Sequence, residues 1–335
     1  MVRVWFNHWF STSYGLIELM KDCGQEISVI ATNKEINSVI QNVCDEWYPE
    51  PRSDGEAYIQ DCLDFCRDHQ IDVFVPRRKM VEISKNRERF QEIGVSLMVD
   101  DYSRIAVLND KAQTYRLLSD IPGIHIPDYE VVNTVQDFEQ AYSRLKAKYD
   151  RLCVKFVNDE GAMSFRKIAD DISPCKRLRI YQGAEVSYAD YVNALKCAGN
   201  MDDLMIMPYL AGTEISVDCL KTPKGIIAIP RYKSLSRHEE IRFDRELLNT
   251  TKAIVERVGL EQPCNVQYRV RNGVPYLLEI NTRMSGGLQM SCLGTGVNIP
   301  GIALCQLLGK TSDWTLEERS CIVSYIETPK MIRYL

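Results

Sequence analysis

The sequence predicts an α/β chain in which a parallel, Rossmann-like sheet fills the first hundred residues and hairpins come after it. Three observations lead there. Short apolar runs of strand length, Val2 to Phe6, Ile27 to Ala31, Ile71 to Pro76 and Val95 to Val99, are separated by helix-patterned stretches at Tyr14 to Lys21, Glu56 to Asp68 and Ser84 to Ile93. Strands that alternate with helices pair in parallel. After Asn109 the pattern changes to strands joined by tight turns, and 335 residues suit two or three packed lobes.

The first region offers two loops at strand ends, where open α/β sheets bind ligands. Asn7 to Ser13 carries three hydroxyls ahead of a helix, and Pro76-Arg77-Arg78-Lys79 is a basic cluster at an equivalent position. They read equally as a site for an acidic substrate or as a helix cap and a solvated charge run. A dinucleotide fingerprint is missing: the GxG at Gly294 and Gly296 has the wrong spacing to Gly301.

In the second region Asp110 caps a helix from Lys111 to about Asp120, which Pro122 and Gly123 end. A helix over Thr134 to Tyr149 places Phe138, Tyr142 and Leu145 on one face. Strands come next at Arg151 to Val157 and Leu204 to Met207. Thr213 to Lys221 turns through Thr222 to Gly225 into Ile226 to Lys233. A helix over Phe243 to Val258 stops at Gly259, and a last hairpin joins Cys264 to Val270 with Val274 to Asn281 across Arg271, Asn272 and Gly273.

Composition removes several classes of function. A net charge of -5 gives no basic field for nucleic acid. No stretch approaches the apolar length of a membrane span or a signal peptide, so a cytoplasmic protein is expected. The twelve cysteines are scattered, without a CxxC, and the closest pair, Cys62 and Cys66, has helical spacing, so reduced core residues are expected and a zinc site is not.

Chemistry concentrates in Tyr276-Leu277-Leu278-Glu279-Ile280-Asn281-Thr282-Arg283-Met284-Ser285-Gly286-Gly287. Alternation along a strand puts Glu279, Asn281 and Arg283 on one face, with Leu278 and Ile280 entering the core on the other. A carboxylate and an amide supply the oxygen ligands that magnesium takes. Lys155, between Val154 and Phe156 in an apolar strand, needs an anion if it is buried.

These residues, taken in order, resemble the ATP-grasp superfamily over nearly the whole chain. The likeness is to the branch containing carbamoyl-phosphate synthase large chains and the ATP-grasp proteins encoded beside tellurium-resistance genes. It implies a Rossmann-like pre-ATP-grasp lobe (1–108), a lid subdomain (109–206) and a C-terminal subdomain carrying the magnesium hairpin (207–335). Asn265-Val266-Gln267 with Glu279-Ile280-Asn281-Thr282-Arg283 looks like the metal hairpin, in which Gln267, Glu279 and Asn281 hold magnesium and Arg283 meets phosphate. The resemblance places Lys111, Lys155 and Gly161 at the ATP phosphates. It sets Met207 and Leu210 at adenine, Glu214 at ribose, and Arg231 and Lys233 among the basic phosphate or substrate contacts.

The activity that this resemblance implies is an ATP-dependent ligase using two magnesium ions, with manganese as an alternative. A carboxylate would be activated as an acyl phosphate and joined to an amine, in a cytoplasmic enzyme for which a homodimer would fit family habit. The alternatives are phosphorylation of a very small acid such as bicarbonate, or an ATP-binding sensor or scaffold without turnover. The last is suggested by the loop Val157 to Arg166, which keeps only Gly161 where the family has several glycines. The hairpin makes one demand: a simple Asn-Gly turn would set Gln267 opposite Leu278, facing away from Glu279, so an odd-length loop or a bulge is expected.

Overall fold

The computed structural model describes residues 1–158, 163–170, 184–199, 201–234 and 236–333. The chain divides into two compact units: residues 1–106, 213–267 and 280–335 form one, and residues 107–212 and 268–279 the other.

Unit 1 begins with five strands, β1 (Val2–Asn7), β2 (Ile27–Asn33), β3 (Glu46–Pro49), β4 (Val73–Val75) and β5 (Ser96–Leu97). They pair in parallel in the order β3-β2-β1-β4-β5, as alternating strands and helices require. The helices are α1 (Ser13–Lys21), α2 (Gly55–Asp68), α3 (Met80–Lys85), α4 (Arg87–Glu92) and α5 (Tyr102–Asn109), the last crossing the boundary between the units. The single helix expected over Ser84 to Ile93 is two, because the Asn86 side chain bonds back to the Glu82 carbonyl at 2.9 Å and interrupts the run.

Unit 2 holds α6 (Lys111–Leu118), α7 (Val135–Lys146) and α8 (Tyr188–Ala198). Its sheet has the order β6-β10-β7-β8-β9, from β6 (Glu130–Val132), β7 (Leu152–Phe156), β8 (Arg166–Ile168), β9 (Glu185–Val186) and β10 (Leu204–Pro208). Asp110 caps α6 by accepting from the Gln113 N–H at 2.8 Å, as the sequence predicts, and Thr134, expected as the first helical residue, is the cap of α7.

A third sheet, in the order β15-β14-β11-β12-β13-β16, contains β11 (Glu214–Thr222), β12 (Gly225–Lys233), β13 (His238–Ile241), β14 (Cys264–Arg271), β15 (Val274–Asn281) and β16 (Cys321–Ser324). Helices α9 (Arg245–Val258), α10 (Leu288–Thr295) and α11 (Ile299–Leu307) come after β13 and β15. Gly259 ends α9 in the left-handed conformation, as expected. Within unit 1 the first sheet and the third share one core: Val4, Phe6, Val29 and Val75 pack in a cluster with Leu220, Ile227, Ile241, Leu288 and Leu304. Among the described residues no single helix is long and apolar enough to cross a membrane.

Candidate active site

In unit 2, strand alternation sorts the paired strands β7 and β10 into two faces. Leu152, Val154, Leu204 and Ile206 enter the unit's apolar core. Cys153, Lys155, Met205 and Met207 point the other way, with Met205 opposite Lys155 and Met207 opposite Cys153. Lys155 is buried, its Nζ 3.4 Å from the Leu278 carbonyl and 5.8 Å from the centre of the Tyr115 ring. Tyr115 donates to that same carbonyl at 2.8 Å. Burial, and then the nearby Glu279 charge, push the Tyr115 hydroxyl far above its usual range, so it remains a donor. Lys111, at the first turn of α6, is also buried and sends Nζ to the Val157 carbonyl at 3.5 Å. Gly161 lies outside the described residues.

Beyond β10 the chain runs through Tyr209, Leu210, Ala211 and Gly212. Tyr209 N–H is tied to the Arg151 carbonyl, whereas the buried Leu210 N–H makes no hydrogen bond among the described residues. Gly212 presses on β14: a Cβ there would fall 2.1 Å from the Val270 carbonyl oxygen, so only glycine fits.

The predicted metal residues sit on the hairpin of β14 and β15. Its loop has two residues, Asn272 at φ 51° and Gly273 at φ 81°, as a primed two-residue turn requires. The expected odd-length loop is therefore absent. Within β15 the buried apolar residues are Leu277 and Ile280, which strict alternation places on opposite faces, while Leu278 is only half-buried. This corrects the expectation that Leu278 and Ile280 enter the core together. Arg283 also departs from expectation: β15 ends at Asn281, so strand alternation does not set its direction. Gln267, in unit 1, donates from Nε2 to Asn265 Oδ1 at 3.2 Å. Asn281 is half-buried at the end of β15.

The remaining predicted residues lie in unit 1. Glu214 and Lys233 form an ion pair across β11 and β12. Arg231 is 1% exposed and hydrogen-bonded to Asp218, Glu239, Ser216, Ser285 and Ser291. Burial acts to lower the Arg231 pKa, but the charges of Asp218 and Glu239 outweigh it and hold the group above its ordinary value. An arginine so enclosed has its N–H groups answered by the chain itself, unlike the basic phosphate or substrate contact that the resemblance implies. The reason is not in the sequence: β12 turns Arg231 inward against α10, where a Cβ on Gly287 would lie 2.2 Å from Nη1.

Arg283 instead lies near the strand-end loops of the first sheet. Its guanidinium carbon is 6.0 Å from the centre of the Phe10 ring, and that of Arg77 is 4.6 Å from the same ring. Phe10 is 50% exposed. Thr12, at the start of α1, makes no side-chain cap bond and lies against Gly286. The other cations of the basic cluster are engaged locally. Arg78 binds Glu50 and the carbonyls of Pro51 and Ser53, and Lys79 pairs with Asp54 at 2.7 Å. Sequence reading did not single out Phe10, Asp218 or Ser291 as parts of this region; an exposed aromatic and a buried aspartate carry no local signature.

Residues 200–329 match the family model described as ATP-grasp in the biosynthetic pathway with Ter operon. The chain is 23% identical over 330 residues to the arginine-specific large chain of carbamoyl phosphate synthase from Geobacillus stearothermophilus, covering 93% of this chain and 29% of that protein. It thus spans under a third of the length of this relative. Among solved structures, the biotin carboxylase domain of Hydrogenobacter thermophilus 2-oxoglutarate carboxylase, in complex with MgADP, ADP and bicarbonate, superposes with a TM-score of 0.70 at 17% identity. That match covers 96% of this chain and 73% of the other. The L-amino acid ligase of Bacillus licheniformis matches with a TM-score of 0.66 at 14% identity, covering 92% and 74%. The resemblance to ATP-grasp proteins is borne out, and the fold is that of these enzymes.

Proposed function

We propose that this chain, which has the ATP-grasp fold and an ATP-grasp family match over 200–329, is a ligase that activates a carboxylate with ATP and joins it to an amine. The observation that carries the reading is the face of β7 and β10 turned away from the lid core, where Lys155 and Met207 stand together. The Leu210 N–H supports a role in reading adenine, and Lys111 and Lys155 supply the cations for the phosphates. Glu214, paired with Lys233, would exchange that partner for a ribose hydroxyl. The division into lobes at 1–108, 109–206 and 207–335 belongs to the same proposal, and the parallel order β3-β2-β1-β4-β5 supports a Rossmann-like first lobe.

Magnesium fits the donor chemistry. Glu279 offers a carboxylate, and Gln267 and Asn281 offer amide oxygens, a hard oxygen set of the kind this ion takes. Among the described residues no three His, Cys, Asp or Glu side chains gather at metal-binding distance, so a set mixing amides with one carboxylate is what the chain provides. When bound, the ion neutralises phosphate charge; we assign two ions, with manganese able to substitute.

The substrate carboxylate attacks the γ-phosphorus, the bond to the β–γ bridging oxygen breaks, and ADP and an acyl phosphate result. An amine then adds to the acyl carbon and expels inorganic phosphate. Such transfer depends on alignment and charge neutralisation. We assign Arg283, near exposed Phe10, to meet the acid, and an amino-acid-like substrate suits the two guanidinium groups of Arg77 and Arg283 that border one ring. A homodimer is the proposed assembly.

A second reading, phosphorylation of bicarbonate or another very small acid, draws on the carbamoyl phosphate synthase relatives. Incubation with ATP, magnesium and pools of acids and amines decides between them, with Glu279→Ala as control. ADP and phosphate that depend on an added acid and vanish in the variant support ligation. ADP formed with bicarbonate alone supports the second reading, and AMP in place of ADP overturns the acyl-phosphate route.

A further inference from the structure

Asp218 belongs to none of the motifs above, yet both of its carboxylate oxygens are doubly used. Oδ1 accepts from Asn265 Nδ2 at 2.7 Å and from Ser285 Oγ at 2.7 Å. Oδ2 accepts from Arg231 Nε at 2.9 Å and from Ser291 Oγ at 2.6 Å. The group is 1% exposed, and all of these partners lie in unit 1.

An ionised carboxylate is an acceptor only, which fixes more than its immediate neighbours. Only the amide nitrogen of Asn265 can face Asp218, so the Asn265 carbonyl oxygen faces Gln267. Gln267 answers with its own amide nitrogen, Nε2 to Oδ1 at 3.2 Å. The Gln267 oxygen is then left at the free end of the side chain. A metal ligand must present that oxygen, because the amide nitrogen carries two hydrogens and has no lone pair to give.

We propose that Asp218 is a positioning residue, which acts through Asn265 to orient the Gln267 amide with its oxygen toward magnesium. The same carboxylate, with Arg231, holds the Ser285 hydroxyl that comes after Arg283, since Ser285 Oγ donates to Asp218 and accepts from Arg231 Nη2 at 3.0 Å. One buried group thus sets an amide on β14 and the turn before α10. The inference rests on the reading of Gln267 as a magnesium ligand.

The orientation of these amides yields a test with a reversal of sign. In Asp218→Asn the new amide can donate to Asn265, whose amide then turns over and makes Gln267 present nitrogen to the metal. Gln267→Glu in that background restores an oxygen at either end. In the native background the same Gln267→Glu change opposes a carboxylate to the Asn265 carbonyl, which Asp218 holds in place. The measurement is the magnesium concentration for half-saturation of binding of a fluorescent, non-hydrolysable ATP analogue, which needs no acid or amine, with thermal melting recorded for every variant.

Asp218→Asn is expected to raise half-saturation about tenfold or more, the scale of losses when a group orienting a ligand is removed. Gln267→Glu is expected to recover most of that loss in the Asp218→Asn protein and to weaken the native one. Asn265→Ala, which leaves the Asp218–Arg231 pair whole, should show the same rescue and replaces Asp218→Asn if that variant does not fold. A rise without rescue in either background overturns the proposal, because loss of general stability is not repaired at Gln267. Glu279→Ala separates the two readings. If it leaves the magnesium requirement unchanged, the metal site itself is wrong. If it raises the requirement while Asp218→Asn and Asn265→Ala do not, the metal site stands and the orienting role fails.

Discussion

Arg231 and Arg283 look alike in the sequence, each a cation in or just past a strand, and the fold gives them different surroundings. Arg231 is sealed among two carboxylates and three serines, while Arg283 lies half-buried beside an exposed phenylalanine. A guanidinium that keeps part of its contact with water costs less to place. One that is 1% exposed must have its charge and its N–H groups answered by the chain itself. The comparison teaches that burial, which residue type does not reveal, decides whether an arginine must have its charge answered by the chain alone.

The contrast breaks or holds on a pair of substitutions. Arg231→Met leaves Asp218 and Glu239 buried without their partner and is expected to cost about 3–5 kcal/mol in urea unfolding. Arg283→Met, at a half-buried position that leaves no buried carboxylate behind, should cost less than Arg231→Met, on the order of 1 kcal/mol, while acid-dependent ADP release falls about 100-fold. Equal losses of stability would erase the distinction.

A smaller effect sharpens the same picture from the backbone side. Gly287→Ala places a methyl group 2.2 Å from Arg231 Nη1. The guanidinium is held from five directions and cannot give way without breaking bonds, so overpacking should cost about 1–3 kcal/mol by the same unfolding measurement. An unchanged midpoint would mean that the Arg231 network is looser than its contacts imply.

The smallest effect concerns a third buried charge, Asp100. Its carboxylate accepts from the Glu261 and Gln262 N–H groups at 2.8 and 3.3 Å, with Arg104 at 3.5 Å, yet burial outweighs these and raises its pKa from 3.8 to about 6. Between those values the folded chain holds a proton that the unfolded chain has released. Its contribution is therefore fully present below pH 3.8 and is lost as pH rises through about 6. Asp100→Asn should flatten the dependence of the urea midpoint over that window; an unaltered slope would assign it to other groups.

Much of the fold was legible because its signals are local. Asp110, Thr134 and Gly259 mark helix ends through hydrogen bonds and backbone angles that span only a few residues. Lys155 stood out because a cation in an apolar strand is costly wherever the strand goes. The illegible parts depend on distant partners. Nothing near Arg78 in the sequence announces Glu50, and nothing near Asp218 announces Ser285 or Ser291. The β15 expectation failed for a related reason: it assumed that one face of the strand is buried, and Leu277 and Ile280, an odd number of residues apart, are both buried.

By itself the sequence determined the alternation of the first hundred residues and the later hairpins, since short-range periodicity encodes these directly, and its motifs carried the resemblance to ATP-grasp proteins; β3, β13, β16, α8, α10 and α11 were not read from it. Tertiary structure alone decided that residues near the N-terminus share a core with α10 and α11. It alone decided that Arg231 is enclosed and that Arg77 and Arg283 both lie near the Phe10 ring. Each of those outcomes is set by which surfaces exclude water together, and that depends on contacts between segments hundreds of residues apart.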